Sequence, residues 1–257
     1  MLIESSRIFL KKAVIWLNDG ELKNAIDSGK YSAITALSYN KLSLPGFRVK
    51  PKKTTVIPLT PSEDEIFKKF SDTTRNEIGR THRTDGFDFV SDDKNFKAIH
   101  SLYKDFEYLH GMVPFSWNAL KECAVFSAYY MGEPVSGIFV DQSAPYLRVR
   151  CIFSKRLETE DKEFYNKIAW ASKRLVWEIC RWGKKGGFIS LDLAVVSFIN
   201  PKIEGIRKFK MSFGGDVIDE YTYIYKSFWY KIFEKFAYFK IIALRFLFLI
   251  KTTVYGK

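Results

Sequence analysis

Cysteine and histidine are scarce in this 257-residue chain, three of each, and glycine and proline number only 15 and 8. Cys123, Cys151 and Cys180 are odd in number, widely spaced and set in apolar runs, a pattern of buried structural thiols and not of a disulfide framework or a zinc site. His82, His100 and His110 do not stand at metal-ligand spacing, so no metal is expected. No Walker loop, GxGxxG, HExxH, GxSxG or paired CxxC occurs, which removes the classes whose chemistry announces itself in a short motif. Carboxylates are also in deficit, 29 against 41 basic side chains, leaving a formal charge of +12. That surplus suits a partner bearing phosphates: nucleic acid, a nucleotide-linked or lipid-linked substrate, or an anionic membrane surface. The N-terminal MLIESSRIFLKKAVIWLNDG breaks its apolar run at Lys11 and Lys12 and has no small-residue cleavage site, so the expected setting is cytoplasmic and reducing.

Apolar material is plentiful, at 47% of residues with 17% aromatic, enough for one large core or two small ones. Residues 1–53 read as a strand, IFLKKAVIWL, then a polar region ending in a loop, RVKPKK. From Thr54 the pattern is clearer. TVIPL is a short strand, and SEDEIFKKFSDTTRNEIGR is a helix opened by a serine cap and acidic first-turn residues. A strand near FDFV and a helix over NFKAIHSLYKDFEYLH follow. CAVFSAYYM, VSGIFV and YLRVRCIF then form an antiparallel meander. In its third strand Leu147, Val149, Cys151 and Phe153 alternate with Tyr146, Arg148 and Arg150, giving the latter face a basic and aromatic character. A helix from Asp161 to Lys185, stopped by Gly186-Gly187, leads to the strand FISLDLAVV, a short helix and a closing hairpin with DEYTYIYK as its outer strand.

Polar residues in apolar settings mark where chemistry can reside. Asp192 interrupts FISLDLAVV near the strand's C-terminal end, where sheets of this class open into a ligand crevice. In GIRKFKMSFGG, a helix expected to begin at Asn200-Pro201 and to stop at Gly214-Gly215, Lys210 shares an apolar stripe with Ile203, Ile206, Phe209 and Phe213. An ammonium on a packed face is costly unless it is paired or used. An ion pair between Asp192 and Lys210 without any ligand, or a Lys210 that only snorkels, is the purely structural reading.

The last thirty residues, from Phe228, carry ten aromatic side chains and a net charge of +5. Lys231, Glu234, Lys235, Lys240 and Arg245 interrupt the roughly 20 apolar residues that a membrane span needs. The pattern suits an amphipathic helix, lying in a membrane interface or packed on protein.

LDL, a gap, then GIRKFKMSFGG resembles the end of the acyltransferase domain of the Fem-type aminoacyltransferases, enzymes of the GNAT superfamily that build peptide bridges on peptidoglycan precursors. LTPSEDEIFKKFSDTTRNEIGRTHRTDGFDF resembles an upstream helix of the same group, and the similarity runs from about Thr54 to Lys226. It implies an α/β (α+β) GNAT-like fold, a mixed central sheet with flanking helices. It implies Lys210 and Asp192 as catalytic residues, with Phe209 and Arg75 contacting or supporting substrate; Tyr146, Arg148 and Arg150 extend the basic track. Two departures stand out. Leu193-Ala194-Val195 replaces the glycines often found after the strand-end aspartate, implying a narrower crevice or a different ligand. FSKRLETEDKEF has no glycine where CoA-dependent GNAT enzymes hold pyrophosphate, which favours aminoacyl-tRNA over acyl-CoA as donor.

The expected organisation is an N-terminal segment (1–53) that is at most the remnant of a second unit, an acyltransferase domain (54–227) and a basic aromatic helix (228–257). The expected activity is N-acyl transfer, aminoacyl foremost, to an amine of a nucleotide-linked or lipid-linked envelope-glycan precursor. No bound cofactor is expected, and the setting is the inner membrane face, reached through 228–257. The alternatives are a CoA-dependent GNAT acetyltransferase or acyltransferase and a non-catalytic RNA-binding or membrane-peripheral module.

Overall fold

A computed structural model describes residues 2–7, 10–199 and 204–236. The chain forms two compact units, residues 1–51 with 220–257, and residues 52–219.

In the first unit β1 (Leu2–Arg7) and β2 (Leu10–Trp16) pair antiparallel, α1 (Asp19–Asp27) crosses over, and β3 (Ala33–Ser38) lies parallel to β2. The later half of β10 (Asp216–Lys226) closes this sheet antiparallel to β3, with Tyr221 opposite Ser38. The polar region expected after the first strand is therefore a complete βαβ crossover. Its helix is short and amphipathic, capped by Asn18 accepting from the Glu21 amide, and it buries only Leu22 and Ala25 against Ala13, Ile15, Ile34 and Tyr223. So small an apolar stripe is easily mistaken for loop. β10 is one long strand where a hairpin is expected.

The second unit holds the strands in the order β4-β9-β8-β7-β6-β5: β4 (Arg48–Pro58), β5 (Phe87–Ser91), β6 (Ala124–Tyr130), β7 (Glu133–Ser143), β8 (Tyr146–Ser154) and β9 (Ser190–Val196). RVKPKK, expected as a loop, is the exposed start of β4, and Pro51 sits ahead of the register with β9, which begins at Lys53. The single helix expected over residues 62–80 is two, α2 (Glu63–Lys69) and α3 (Asp72–Thr81). Phe70 turns extended to bury its ring, and Ser71 caps the second helix as Ser62 caps the first in a full capping box with Glu65. Arg75 secures this junction by donating to the Lys68 carbonyl at 2.8 Å and to that of Phe70.

α6 (Lys162–Lys185) covers one sheet face, where Ile168, Leu175, Val176 and Ile179 meet Phe126, Ile138, Leu147 and Leu191. α4 (Phe96–Leu109) and the single turn α5 (Trp117–Leu120) cover the other, packing Ile99, Leu102 and Tyr103 on Val125, Phe139 and Phe153. A bulge corrects the expected alternation in β8. Val149 faces Val140 and Cys151 faces Phe139, so Arg150 is an extra residue. Leu147 and Val149 enter the α6 core, whereas Cys151 and Phe153 enter the α4 core.

α7 (Glu204–Met211) precedes β10; the expected start at Asn200-Pro201, and Ile203, lie outside the described residues. Gly214, at φ +62°, and Gly215 end it where added Cβ atoms would fall 2.1 Å from the Lys69 carbonyl oxygen and 2.8 Å from that of Val56. Only glycine fits so tight a stop. Residues 228–236 are helical, with Phe228, Trp229 and Phe236 exposed, and Lys240 and Arg245 of the expected amphipathic helix fall outside the described residues.

Candidate active site

β8 and β9 run parallel for only three residue pairs, Tyr146 with Ser190, Leu147 with Leu191 and Arg148 with Asp192. Beyond them β9 stays paired with β4, Val195 with Thr54 and Val196 with Lys53, while β8 continues to Ser154 on β7 alone. The strands part, and the released edge of β8 from Val149 to Ser154 lines a cavity of about 630 Å³. α6 contributes Tyr165, Asn166 and Trp170 to its wall, α7 contributes Ile206, Phe209 and Lys210, and α3 contributes Glu77.

Asp192 sits at the parting point with no exposed surface. One carboxylate oxygen accepts from the Arg148 guanidinium; the other accepts from the Thr54 hydroxyl and, at 2.7 Å, from the Ala194 amide. That last bond holds Ala194 at φ +62°, a left-handed conformation costing a non-glycine residue roughly 1–2 kcal/mol. The bend that glycine would give freely is thus imposed on alanine by the aspartate two residues earlier, and Ala194 itself lines the cavity.

Lys210 reaches from α7 to donate to the Val195 carbonyl at 2.9 Å, at the cavity wall. The apolar stripe around it is not uniformly packed. Phe213 is fully buried against Phe70, Phe209 is half-buried with its ring 5.1 Å from that of Phe213, and Ile206 is 55% exposed. The lysine lies on the part of the stripe that turns from core to cavity.

The expected basic track divides. Arg150 lines the cavity but is held by Asp141 through both carboxylate oxygens, at 3.0 and 2.9 Å from its Nε. Burial alone would lower the guanidinium pKa, yet the bonds to Asp141 and its charge outweigh this and raise it. The same Asp141 accepts from the Cys123 thiol at 3.5 Å, and burial with the aspartate's charge pushes that thiol up to about 12. Arg148, Asp192, Tyr146 and Arg75 are not among the described residues lining the cavity. The structure thus brings Lys210, Phe209 and Arg150 together at the cavity, places Arg148 and Asp192 beneath it, and leaves Arg75 at the α2–α3 junction.

Sequence reasoning overlooked the α3 and α6 side. Glu77 and Lys173 pair at 2.5 Å on the wall, with side chains 22% and 15% exposed. Arg156, in the 3₁₀ turn Lys155–Glu158 after β8, lies over the Tyr165 ring with its guanidinium carbon 4.0 Å from the centroid. The available signal was a basic residue directly after a strand and ahead of a long helix, too common to single out.

Among solved structures, FemX superimposes with a TM-score of 0.60 at 12% identity, covering 86% of this chain and 83% of that one. The fold is the one FemX has. It has the expected mixed sheet with flanking helices. L-PGS from Bacillus licheniformis superimposes with a TM-score of 0.53 at 12% identity, over 88% of this chain and 81% of that one. The C-terminal domain of a protein described as a lysylphosphatidylglycerol synthetase from Agrobacterium fabrum gives 0.53 at 11% identity, over 87% and 80%. No family model matches the chain, and no curated protein sequence matches it.

Proposed function

We propose that this protein is an N-acyltransferase that moves an acyl group, aminoacyl foremost, from an activated ester to an amine of a nucleotide-linked or lipid-linked cell-envelope precursor. The observation that carries the reading is the parting of β8 from β9 at Asp192, which opens a cavity with Lys210 on its wall. A fold shared with FemX and with lysylphosphatidylglycerol synthetase, whose name states the attachment of a lysyl group to a phospholipid, supports this reaction class and envelope setting.

In the reaction the amine nitrogen attacks the ester carbonyl, a C–N bond forms, the C–O bond breaks and the alcohol departs with a proton. Lys210 is the cation for the developing oxyanion, or for a phosphate of donor or acceptor, and Phe209 packs beside the reacting groups. Asp192, buried and clamped by Arg148, is in this reading a positioning residue: it shapes the bend at Ala194 and so the width of the wedge. As donor, aminoacyl-tRNA is favoured over acyl-CoA. The first amides of α6, which would offer themselves to a pyrophosphate, are occupied by the Asp161 carboxylate, with N···O distances of 2.8 Å from Glu163 and 3.3 Å from Phe164. In this reading a lipid-linked acceptor is reached by peripheral contact through 228–257, where Phe228, Trp229 and Phe236 are exposed; among the described residues no helix is long and apolar enough to cross a membrane.

Mass spectrometry of envelope precursors incubated with charged tRNA tests the reading directly. Lys210→Ala is expected to lower transfer by about 100-fold or more, with stability within about 0.5 kcal/mol of the wild type. Full activity in that variant would remove Lys210 from the mechanism, and transfer from acyl-CoA but not from charged tRNA would reassign the donor.

A further inference from the structure

Between Glu107 and Lys121 the chain has no aspartate, glutamate, lysine or arginine, although 27% of all its residues are charged. In that stretch the large side chains of Tyr108, Leu109, Met112, Val113, Phe115 and Trp117 are exposed, Val113 at 83%. The backbone that presents them is held in place. Gly111, at φ +67°, ends α4, and the Met112 amide donates to the Glu107 carbonyl at 2.8 Å, a helix stop in which the residue after the glycine ordinarily packs back on the helix. Here Met112 stays exposed instead. The chain then returns along α4: the Phe115 amide donates to the Tyr103 hydroxyl at 3.0 Å, and the Trp117 ring meets that of Phe96 edge-on, with centroids 5.0 Å apart. A fixed turn that shows its apolar side chains to water is costly in solution and becomes favourable where an apolar phase covers it.

We propose that this turn, residues 108–117, inserts into the interface of an anionic lipid bilayer. Tyr108, Phe115 and Trp117 are the ring types that settle at headgroup level, and Leu109, Met112 and Val113 are the aliphatic ones that reach the acyl boundary. The charge beside them selects lipid over a protein partner. On a wheel of about 100° per residue Lys97, Lys104 and Tyr108 share the outward stripe of α4, while Asp105 lies on the flank away from His100 and the returning chain. Lys97 is exposed and Lys104 half-buried, and neither is in an ion pair among the described residues. Lysines with free ammonium groups at the edge of an inserted apolar turn can extend to lipid phosphates. The surface is separate from residues 228–257 and belongs to the unit that holds the cavity. Arg150 joins the two features, lining the cavity while its guanidinium carbon lies 5.8 Å from the centroid of the Phe115 ring. Membrane contact through the turn does not depend on the acyl-transfer reading; its use, to bring the cavity to a lipid-linked acceptor, rests on that reading.

An environment-sensitive fluorophore on Val113→Cys in the full chain, titrated with vesicles of phosphatidylglycerol and phosphatidylcholine in equal parts, reads insertion of the turn itself. Cys123 and Cys180 are buried and Cys151 is half-buried, and wild type treated with the same reagent serves as the blank. A blue shift is expected at position 113 and none from the same label on Glu133→Cys, at the far end of β6 from Cys123. Lys97→Gln with Lys104→Gln should weaken the response about tenfold at low salt and much less at high salt. In co-sedimentation with the same vesicles, Leu109→Ser, Met112→Ser and Val113→Ser together should weaken binding of the full chain about tenfold, with an unchanged circular dichroism spectrum showing that the fold is intact. No shift at position 113, an equal shift at position 133, or an equal response to vesicles of phosphatidylcholine alone would overturn the proposal. So would a dimer in sedimentation that the three serine substitutions dissolve while position 113 ignores vesicles, since the turn would then join two copies of the chain. Binding is read without turnover, so loss of insertion with transfer intact would sink the membrane contact alone, and insertion without transfer would sink the acyl-transfer reading alone.

Discussion

β8 and the turn that follows it treat their cations differently. On the strand, which pairs with β7 along its length, Arg148 and Arg150 end in carboxylates that are themselves buried, Asp192 fully and Asp141 at 3% exposure. In the turn after it, at the cavity wall, Arg156 ends on an aromatic ring with one N–H left over. Burying a charge costs several kcal/mol, and within the scaffold that cost must be met by protein groups; at a cavity wall a ligand can meet it. The contrast separates cations that hold the site's shape from cations that can address its occupant.

The comparison is most sharply broken by removing one partner of a scaffold pair. Asp192→Ala should destabilise the protein by about 3–5 kcal/mol, because the Arg148 guanidinium is left buried without a counter-charge. The double variant Arg148→Met with Asp192→Leu should recover most of that loss, since an apolar pair of similar volume removes both charges together. Denaturant unfolding of the three proteins decides this. If Asp192→Ala costs under about 1 kcal/mol, the pair is not the scaffold element described here. The Glu77–Lys173 pair occupies an intermediate position at the cavity wall, with side chains 22% and 15% exposed. Lys173→Ala should cost no more than about 1 kcal/mol by the same measurement.

The sequence was most legible where local chemistry and tertiary packing agree. The capping serine at Ser62, the meander, the long helix ending at Gly186 and the glycine stop after α7 follow from caps, turns and periodicity, and each is present. It was least legible where one residue redirects a pattern. Arg150 bulges β8 and sends Cys151 and Phe153 to the α4 core, and nothing in strict alternation foretells an inserted residue. Phe70 breaks one expected helix into two because its ring finds Trp177 and Phe213, a contact more than a hundred residues away in sequence. For the candidate site, Lys210 and Asp192 were visible as polar residues in apolar runs. Their partners were not, since Arg148, Thr54 and Ala194 converge on Asp192 from three segments. Ala194 shows the limit most clearly: alanine in place of glycine gives no sign of a left-handed residue, yet the hydrogen bond to Asp192 enforces the glycine-like turn.

Glu107 offers the finest test of the contrast, because it is a buried carboxylate without a cationic clamp. It is 6% exposed on α4, and among the described residues no lysine or arginine pairs with it. Burial raises its pKa, with the hydrogen bond from Tyr103 pulling the other way. A carboxyl group whose pKa is higher in the folded than in the unfolded chain binds protons preferentially when folded. Its stabilising contribution is therefore fully present below the ordinary glutamate value near 4.5 and is lost as the pH rises through the folded-state pKa. Glu107→Gln removes that titration. The stability of the variant relative to wild type should rise between about pH 4.5 and neutrality and level off above the folded-state pKa, while the same substitution at Asp192 should lower stability throughout. Urea unfolding of wild type and variant at pH 5 and pH 8 gives the sign directly. A difference that does not change with pH would mean that Glu107 is compensated as fully as Asp192, and that the distinction between clamped and unclamped charges ends at β8.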